Sequence, residues 1–157
     1  MNELYYQFSP RNKPVLLLLH GFLGSMHQWR YLEASWSQDF SILKVDLPGH
    51  GRSLASETPF SLEELALSID QILIQEKIDK VHLIGHSMGG YLGCAFAKAR
   101  PQKIHSLHLI NSLADADTPD RKAQRDRSID LISKYQQAFV NMAISNLFTE
   151  SEKEEHG

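Results

Sequence analysis

Cysteine is nearly missing from this sequence. Cys94 stands alone among 157 residues, so no disulfide can close within the chain. Such a composition suits a reducing compartment. Long apolar runs are missing too. The longest, residues 15–19, has five residues, against about 20 needed to cross a bilayer. The first five residues, Met1-Asn2-Glu3-Leu4-Tyr5, carry no basic segment leading into an apolar stretch. No signal peptide is expected, and a cytoplasmic location is. Charge of one sign is not in excess either: the net charge is −3. That gives no electrostatic case for nucleic acid or for an anionic membrane. Arg121, Lys122, Arg125 and Arg127 do cluster, but Asp117, Asp120, Asp126 and Asp130 lie among them, which marks a solvated face. Gly49-His50-Gly51 lacks the third glycine of a dinucleotide fingerprint, and no G-x-x-x-x-G-K-[ST] occurs. His82 and His86 are four apart but have no third ligand in view. Neither a cofactor nor a metal is expected.

What is present is alternation. Residues 5–8 read as a short edge strand and 9–14 as a loop. Residues 15–19 are apolar without a period, as in a strand buried on both faces. A helix is predicted over 26–36, packing through Met26, Trp29, Tyr31, Leu32 and Trp36. A buried strand follows over 40–45. Ser61 and Glu64 form a capping box for a helix running to about Lys77. Its buried stripe is Leu62, Leu65, Ala66, Ile69, Ile72 and Leu73. A third strand over 81–84, a helix over 91–100 stopped by Pro101, and a fourth strand over 104–110 complete the series. Strands alternating with helices predict an α/β fold, a three-layer sandwich with a mainly parallel sheet. After Leu113 the character changes. Residues 115–130 are charged and helical after Thr118-Pro119. Residues 129–148 form an amphipathic helix with Ile132, Tyr135, Phe139, Met142 and Ala143 on one stripe. The tail, 149–157, is charged and expected to fray.

Three loops follow strands at the carboxyl edge of the sheet, where ligand sites of such folds lie. The most informative is Gly85-His86-Ser87-Met88-Gly89, a G-x-S-x-G pattern between a strand and a helix. A serine at the tip of so sharp a turn stands clear of the sheet. Its neighbours two residues away must be small, because the turn brings them together. The next backbone N–H lies at a helix N-terminus, where it can stabilise an oxyanion. Read blandly, Ser87 is a turn serine, His86 lines a pocket, and the aromatic stripe after Ile129 is a packing face.

With His20-Gly21-Phe22-Leu23-Gly24 and Asp46-Leu47-Pro48-Gly49-His50-Gly51-Arg52-Ser53 at the two other strand ends, the chain resembles the α/β-hydrolase superfamily. The resemblance runs over about residues 5–148. It implies a hydrolase core over 1–113 that lacks the last strands, and a helical cap segment over 114–157. It implies Ser87 as nucleophile, with the N–H groups of Met88 and Phe22 as the oxyanion hole. It implies further that His20, Gly21, Gly24, Asp46, Gly49, Gly51, Arg52, Gly85, His86, Gly89 and Gly90 shape the site. A serine in place of an aspartate disfavours dehalogenase and epoxide-hydrolase chemistry. In this family the acid and then the histidine follow the serine along the chain. His105, His108 and His156 do not match the base position. Asp115 and Asp117 follow the fourth strand, where a minority of relatives carry the acid. The expectation is therefore a truncated serine hydrolase, esterase- or thioesterase-like, acting on a small acyl substrate through an acyl-enzyme and weak or inactive alone. Three alternatives stay open: a non-catalytic binding remnant; a chain that self-associates or is completed by a C-terminal chain; and a carbon–carbon hydrolase or carboxylic-acid lyase on the same fold.

Overall fold

The computed structural model describes residues 3–149 and 152 of the chain. Two compact units are present, Met1–Ala114 and Asp115–Gly157. The first holds a five-stranded sheet of β1 (Tyr6–Ser9), β2 (Val15–Leu19), β3 (Ser41–Val45), β4 (Val81–His86) and β5 (Ile104–Ile110). The strand order is β1-β3-β2-β4-β5. β1 pairs antiparallel with β3, and every other pair is parallel. Crossovers run through α1 (Arg30–Trp36), α2 (Leu62–Gln75) and α3 (Met88–Ala99).

The apolar runs become the centre of the sheet. Leu16 to Leu19 and all of β3 are buried. One face packs Leu17, Leu19, Leu43 and Leu83 against Leu65, Ile69 and Leu73 of α2 and Leu92 and Phe96 of α3. The opposite face packs Leu16, Leu18 and Ile42 against Trp29, with Trp36 and Phe40 at its margin. Helices on both faces give three layers. β4 is covered unequally. Val81, Leu83 and Gly85 are buried, whereas His82, Ile84 and His86 are half-buried.

Some boundaries differ from expectation for local reasons. Residues 26–36 are not one helix. A 3-10 turn, Met26–Trp29, precedes α1, because the Ser25 side chain caps the His27 N–H and the Asp46 carboxylate takes the Met26 N–H. Leu62 stays 37% exposed, so the stripe of α2 starts at Leu65. The Ser61–Glu64 capping box forms in both directions. α2 ends before Lys77, which adopts φ 55° while the Ile78 N–H donates to the Leu73 carbonyl, a Schellman ending. α3 starts at Met88 rather than Tyr91, so no spacer separates it from Ser87.

The second unit is built on α4 (Pro119–Ser145), capped by the Thr118 side chain. Asp117 pairs with Arg125. The helix breaks at Tyr135 (φ −138°, ψ 49°), where the sequence carries neither proline nor glycine. Ile132, Phe139 and Ala143 are half-buried, while Tyr135 and Met142 are exposed. Most of the tail expected to fray, and His156 with it, lies outside the described residues.

Asp70 is a buried charged group of the first unit that lies away from the loops at the carboxyl edge of the sheet. It sits on α2 with its side chain 6% exposed, 2.6 Å from Arg100 Nε and 3.3 Å from Lys103 Nζ. Burial by itself would raise its pKa, but hydrogen bonds from Arg100 and Lys103 outweigh that and hold the carboxyl below its ordinary value. The pair ties α2 to the end of α3. Arg100 is about one-third exposed and can rehydrate if its partner is lost. The cost of Asp70→Asn is therefore set at about 1–3 kcal/mol, below the usual figure for a fully buried pair. Because the folded-state pKa is depressed, the stabilisation is full above the unfolded value of about 4 and is lost as pH falls through the folded one. Urea unfolding at pH 7 should show the loss, and the gap from wild type should narrow below about pH 4.

Candidate active site

β4 ends at His86 and α3 begins at Met88, so Ser87 alone makes the turn. Its backbone sits at φ 49°, ψ −113°. For a residue with a Cβ this region costs about 1–3 kcal/mol and persists only when the surroundings over-determine it. Here they do. The Ser87 N–H donates to the Ile110 carbonyl at 2.9 Å, and the Ser87 carbonyl accepts from the Gly90 N–H at 2.9 Å and the Ser112 hydroxyl at 2.8 Å. Close approach explains the small neighbours. A Cβ on Gly85 would lie 2.6 Å from Gly90 Cα and run into the Gly89 carbonyl. A Cβ on Gly89 would run into the Leu19 carbonyl and lie 2.7 Å from the His20 oxygen. The elbow is therefore pressed against the end of β2. Gly90 lies against Ser112 in the same way.

The loop after β2 lies over this turn. A Cβ on Gly21 would be 3.2 Å from Ser87 Cβ and 2.6 Å from His86 Nδ1. The Gly24 N–H closes the loop onto the Gly21 carbonyl at 3.1 Å, and the Gly21 N–H points to Gln28 Oε1 at 3.4 Å. Among the described residues, the N–H groups of Phe22 and Met88 have no acceptor. The Phe22 side chain is 51% exposed.

His20 is fully buried and braces the loops. Its Nδ1–H donates to the Gly21 carbonyl at 2.8 Å, and its Nε2 accepts from the Leu47 N–H at 2.9 Å. Burial, more than any other cause, lowers its pKa and keeps the ring neutral. Asp46 is equally buried. Its carboxylate accepts from the Met26 N–H at 2.7 Å and the Arg52 N–H at 2.9 Å, so it ties loops together, and among the described residues no histidine bonds it. Gly49 and Gly51 turn this loop with φ 75° and 54°, and Gly51 lies against the Asp46 carboxylate. Arg52 contributes its backbone here, while its guanidinium lies 4.0 Å from the Tyr5 ring centroid and donates to the Tyr5 hydroxyl.

No histidine is brought to Ser87 by a hydrogen bond among the described residues. His86 has a buried Nδ1 without a partner, and burial lowers its pKa. His82 bonds Ser106, which bonds His108, and His82 stacks on His105 at 5.1 Å. These rings brace β4 against β5. Sequence reasoning missed three supports of the site: Gln28, His50 and Ser112. Their signals were faint, since each acts on a backbone group outside any local motif: Gln28 on Gly21, His50 on Leu23 and Ser112 on Ser87.

Sheet order, a strained serine between strand and helix, and a glycine loop over it define a doubly wound α/β scaffold with a tight strand–serine–helix turn at the carboxyl edge of its sheet. The chain belongs to the alpha/beta hydrolase fold family, whose description matches residues 14–143. It is 37% identical over 108 residues to a dihydrolipoyllysine-residue acetyltransferase component of the acetoin cleaving system from Pseudomonas putida, covering 69% of this chain and 29% of that protein. Among solved structures it is similar to a thermophilic esterase from Thermogutta terrifontis, with TM-score 0.84, 26% identity, and coverage of 98% of this chain and 57% of that one. It is also similar to an enol-lactonase from Burkholderia xenovorans, with TM-score 0.85, 25% identity and coverage of 97% and 59%. The chain thus spans well under two thirds of the length of each.

The strain at Ser87 can be measured. Ser87→Ala keeps a Cβ in the unfavourable region, and Ser87→Gly removes it. The glycine variant should be more stable than the alanine variant by about 1–2 kcal/mol, although glycine normally costs stability. Equal or reversed denaturation midpoints would remove the strain from the account.

Proposed function

We propose that this chain is the nucleophile-bearing part of a serine hydrolase that acts on an ester or thioester of a small organic acid. The observation that carries the reading is the strained Ser87 elbow, beside which two backbone N–H groups, of Phe22 and Met88, have no acceptor among the described residues. In the proposed reaction Ser87 Oγ attacks the carbonyl carbon. The tetrahedral oxyanion accepts hydrogen bonds from the Phe22 and Met88 N–H groups. The alcohol or thiol departs, and water releases the acyl group from the serine. The ester class is supported by the likeness to an esterase and an enol-lactonase, both of which cleave esters by name.

A serine hydroxyl needs a base to take its proton. No histidine among the described residues bonds Ser87, so we assign the acid and the base to a complementing C-terminal polypeptide. β5 favours this, because it stands at one edge of the sheet and among the described residues pairs with β4 alone. The free side of an edge strand is a template for another strand. A binding remnant without turnover is the second reading, favoured by the same observation that no histidine among the described residues bonds Ser87.

A fluorophosphonate probe separates them. Ser87 should label slowly in the chain alone, and labelling should vanish in Ser87→Ala. p-Nitrophenyl acetate turnover should rise by about 10⁴-fold or more when the C-terminal half of a family member is added. Ser87 inert to the probe both alone and in that mixture would leave the binding remnant standing.

A further inference from the structure

The loop that carries Phe22 is itself strained. Leu23 adopts φ 59°, a left-handed conformation that leucine rarely takes. What holds it comes from the neighbouring loop. The Leu23 N–H donates to His50 Nε2 at 3.2 Å, and His50 Nδ1 lies 2.9 Å from the Pro48 carbonyl. A carbonyl only accepts and an amide N–H only donates. The backbone therefore dictates the ring's state: hydrogen on Nδ1, a lone pair on Nε2, no net charge. His20 is bound in the same pattern, Nδ1 to the Gly21 carbonyl and Nε2 to the Leu47 N–H. The two rings lie 5.2 Å apart, and Phe22 meets His50 edge-on at 5.8 Å. The loops after β2 and β3 are thus cross-braced by two imidazoles, each acting through both nitrogens.

We propose that His50 is a positioning residue: in its neutral form it holds the Leu23 N–H and so sets the direction of the adjacent Phe22 N–H. The inference rests on the reading of Phe22 as an oxyanion donor, but the brace itself does not. Protonation of His50 would place an N–H against the Leu23 N–H, donor against donor, and break the bond. It would also set a positive ring beside His20. The other ionisable groups here offer no compensation. The Asp46 carboxylate is already occupied by the Met26 and Arg52 N–H groups, His86 at the end of β4 is a further imidazole, and the Arg52 guanidinium is a cation stacked on Tyr5. The phenylalanine loop should therefore loosen in acid together with His50, independently of any catalytic base.

Nuclear magnetic resonance of the ¹⁵N-labelled full chain reads this directly. A scalar coupling across the hydrogen bond should join the Leu23 amide nitrogen to His50 Nε2, and the Leu23 amide shift should titrate with the His50 ring. Glutamine can place an oxygen where Nε2 sits and does not protonate. His50→Gln should keep the Leu23 amide protected and abolish its titration. His50→Phe keeps the aromatic contacts and removes the acceptor. There Leu23 amide exchange should quicken by about tenfold or more, while the Leu47-to-His20 coupling stays as a control for folding. An absent Leu23–His50 coupling, or a Leu23 amide indifferent to His50 titration, overturns the brace whether or not the phenylalanine variant folds. These readouts do not depend on Ser87 reactivity. If the brace holds but the rate of fluorophosphonate labelling is the same in all three proteins, the brace stands and the role of Phe22 in the hole falls.

Discussion

Ser87 is held from both sides by its own peptide groups, and much of the molecule serves that restraint. Its N–H is bound to the last carbonyl of β5 and its carbonyl to Ser112 and Gly90. A backbone so far from the ordinary regions relaxes unless several elements oppose it. β5 must pair with β4 in register, Ser112 must lie against Gly90, and the elbow must press onto the end of β2. The apolar centre of the sheet supplies the rigidity. Leu17, Leu19 and Leu83 lie under α2 and α3, and the same helix α3 that buries Phe96 presents the Met88 N–H.

The polar groups around the turn divide by task. Asp46 and His20 resemble catalytic residues by type, yet both are buried and bonded to backbone, and both join one loop to another. A buried carboxylate with two N–H donors has its acceptor capacity used by backbone, and a buried imidazole between a carbonyl and an amide is stable as a neutral ring. Such groups add order to glycine-rich loops that would otherwise move. The surroundings of the turn are thus assembled from backbone N–H groups, one carboxylate brace and one imidazole brace.

Several elements were legible from residue pattern alone. The central strands announced themselves as apolar runs, Ser61 and Glu64 marked the start of α2, and the glycine spacing around Ser87 marked the elbow. These signals are local: burial on two faces, a cap within four residues, a turn that excludes Cβ atoms. The break between Met26 and α1 was not legible, because it depends on the Asp46 carboxylate from another loop. The exposure of Leu62 and the kink at Tyr135 likewise leave no mark in the spacing.

The site shows the same division. By itself the sequence determined which serine stands at a strand-to-helix turn, and which residues around it must be small. It also determined the order of strands and helices along the chain, because periodicity and steric exclusion act over a few residues. Only the tertiary structure decided what surrounds that serine. It turned Asp46 and His20 into braces, gave Gln28, His50 and Ser112 their roles, and drew His82, Ser106 and His108 into the strand pairing. Most of those outcomes depend on which groups meet across 20 to 27 residues of chain, and the register of a folded sheet sets them.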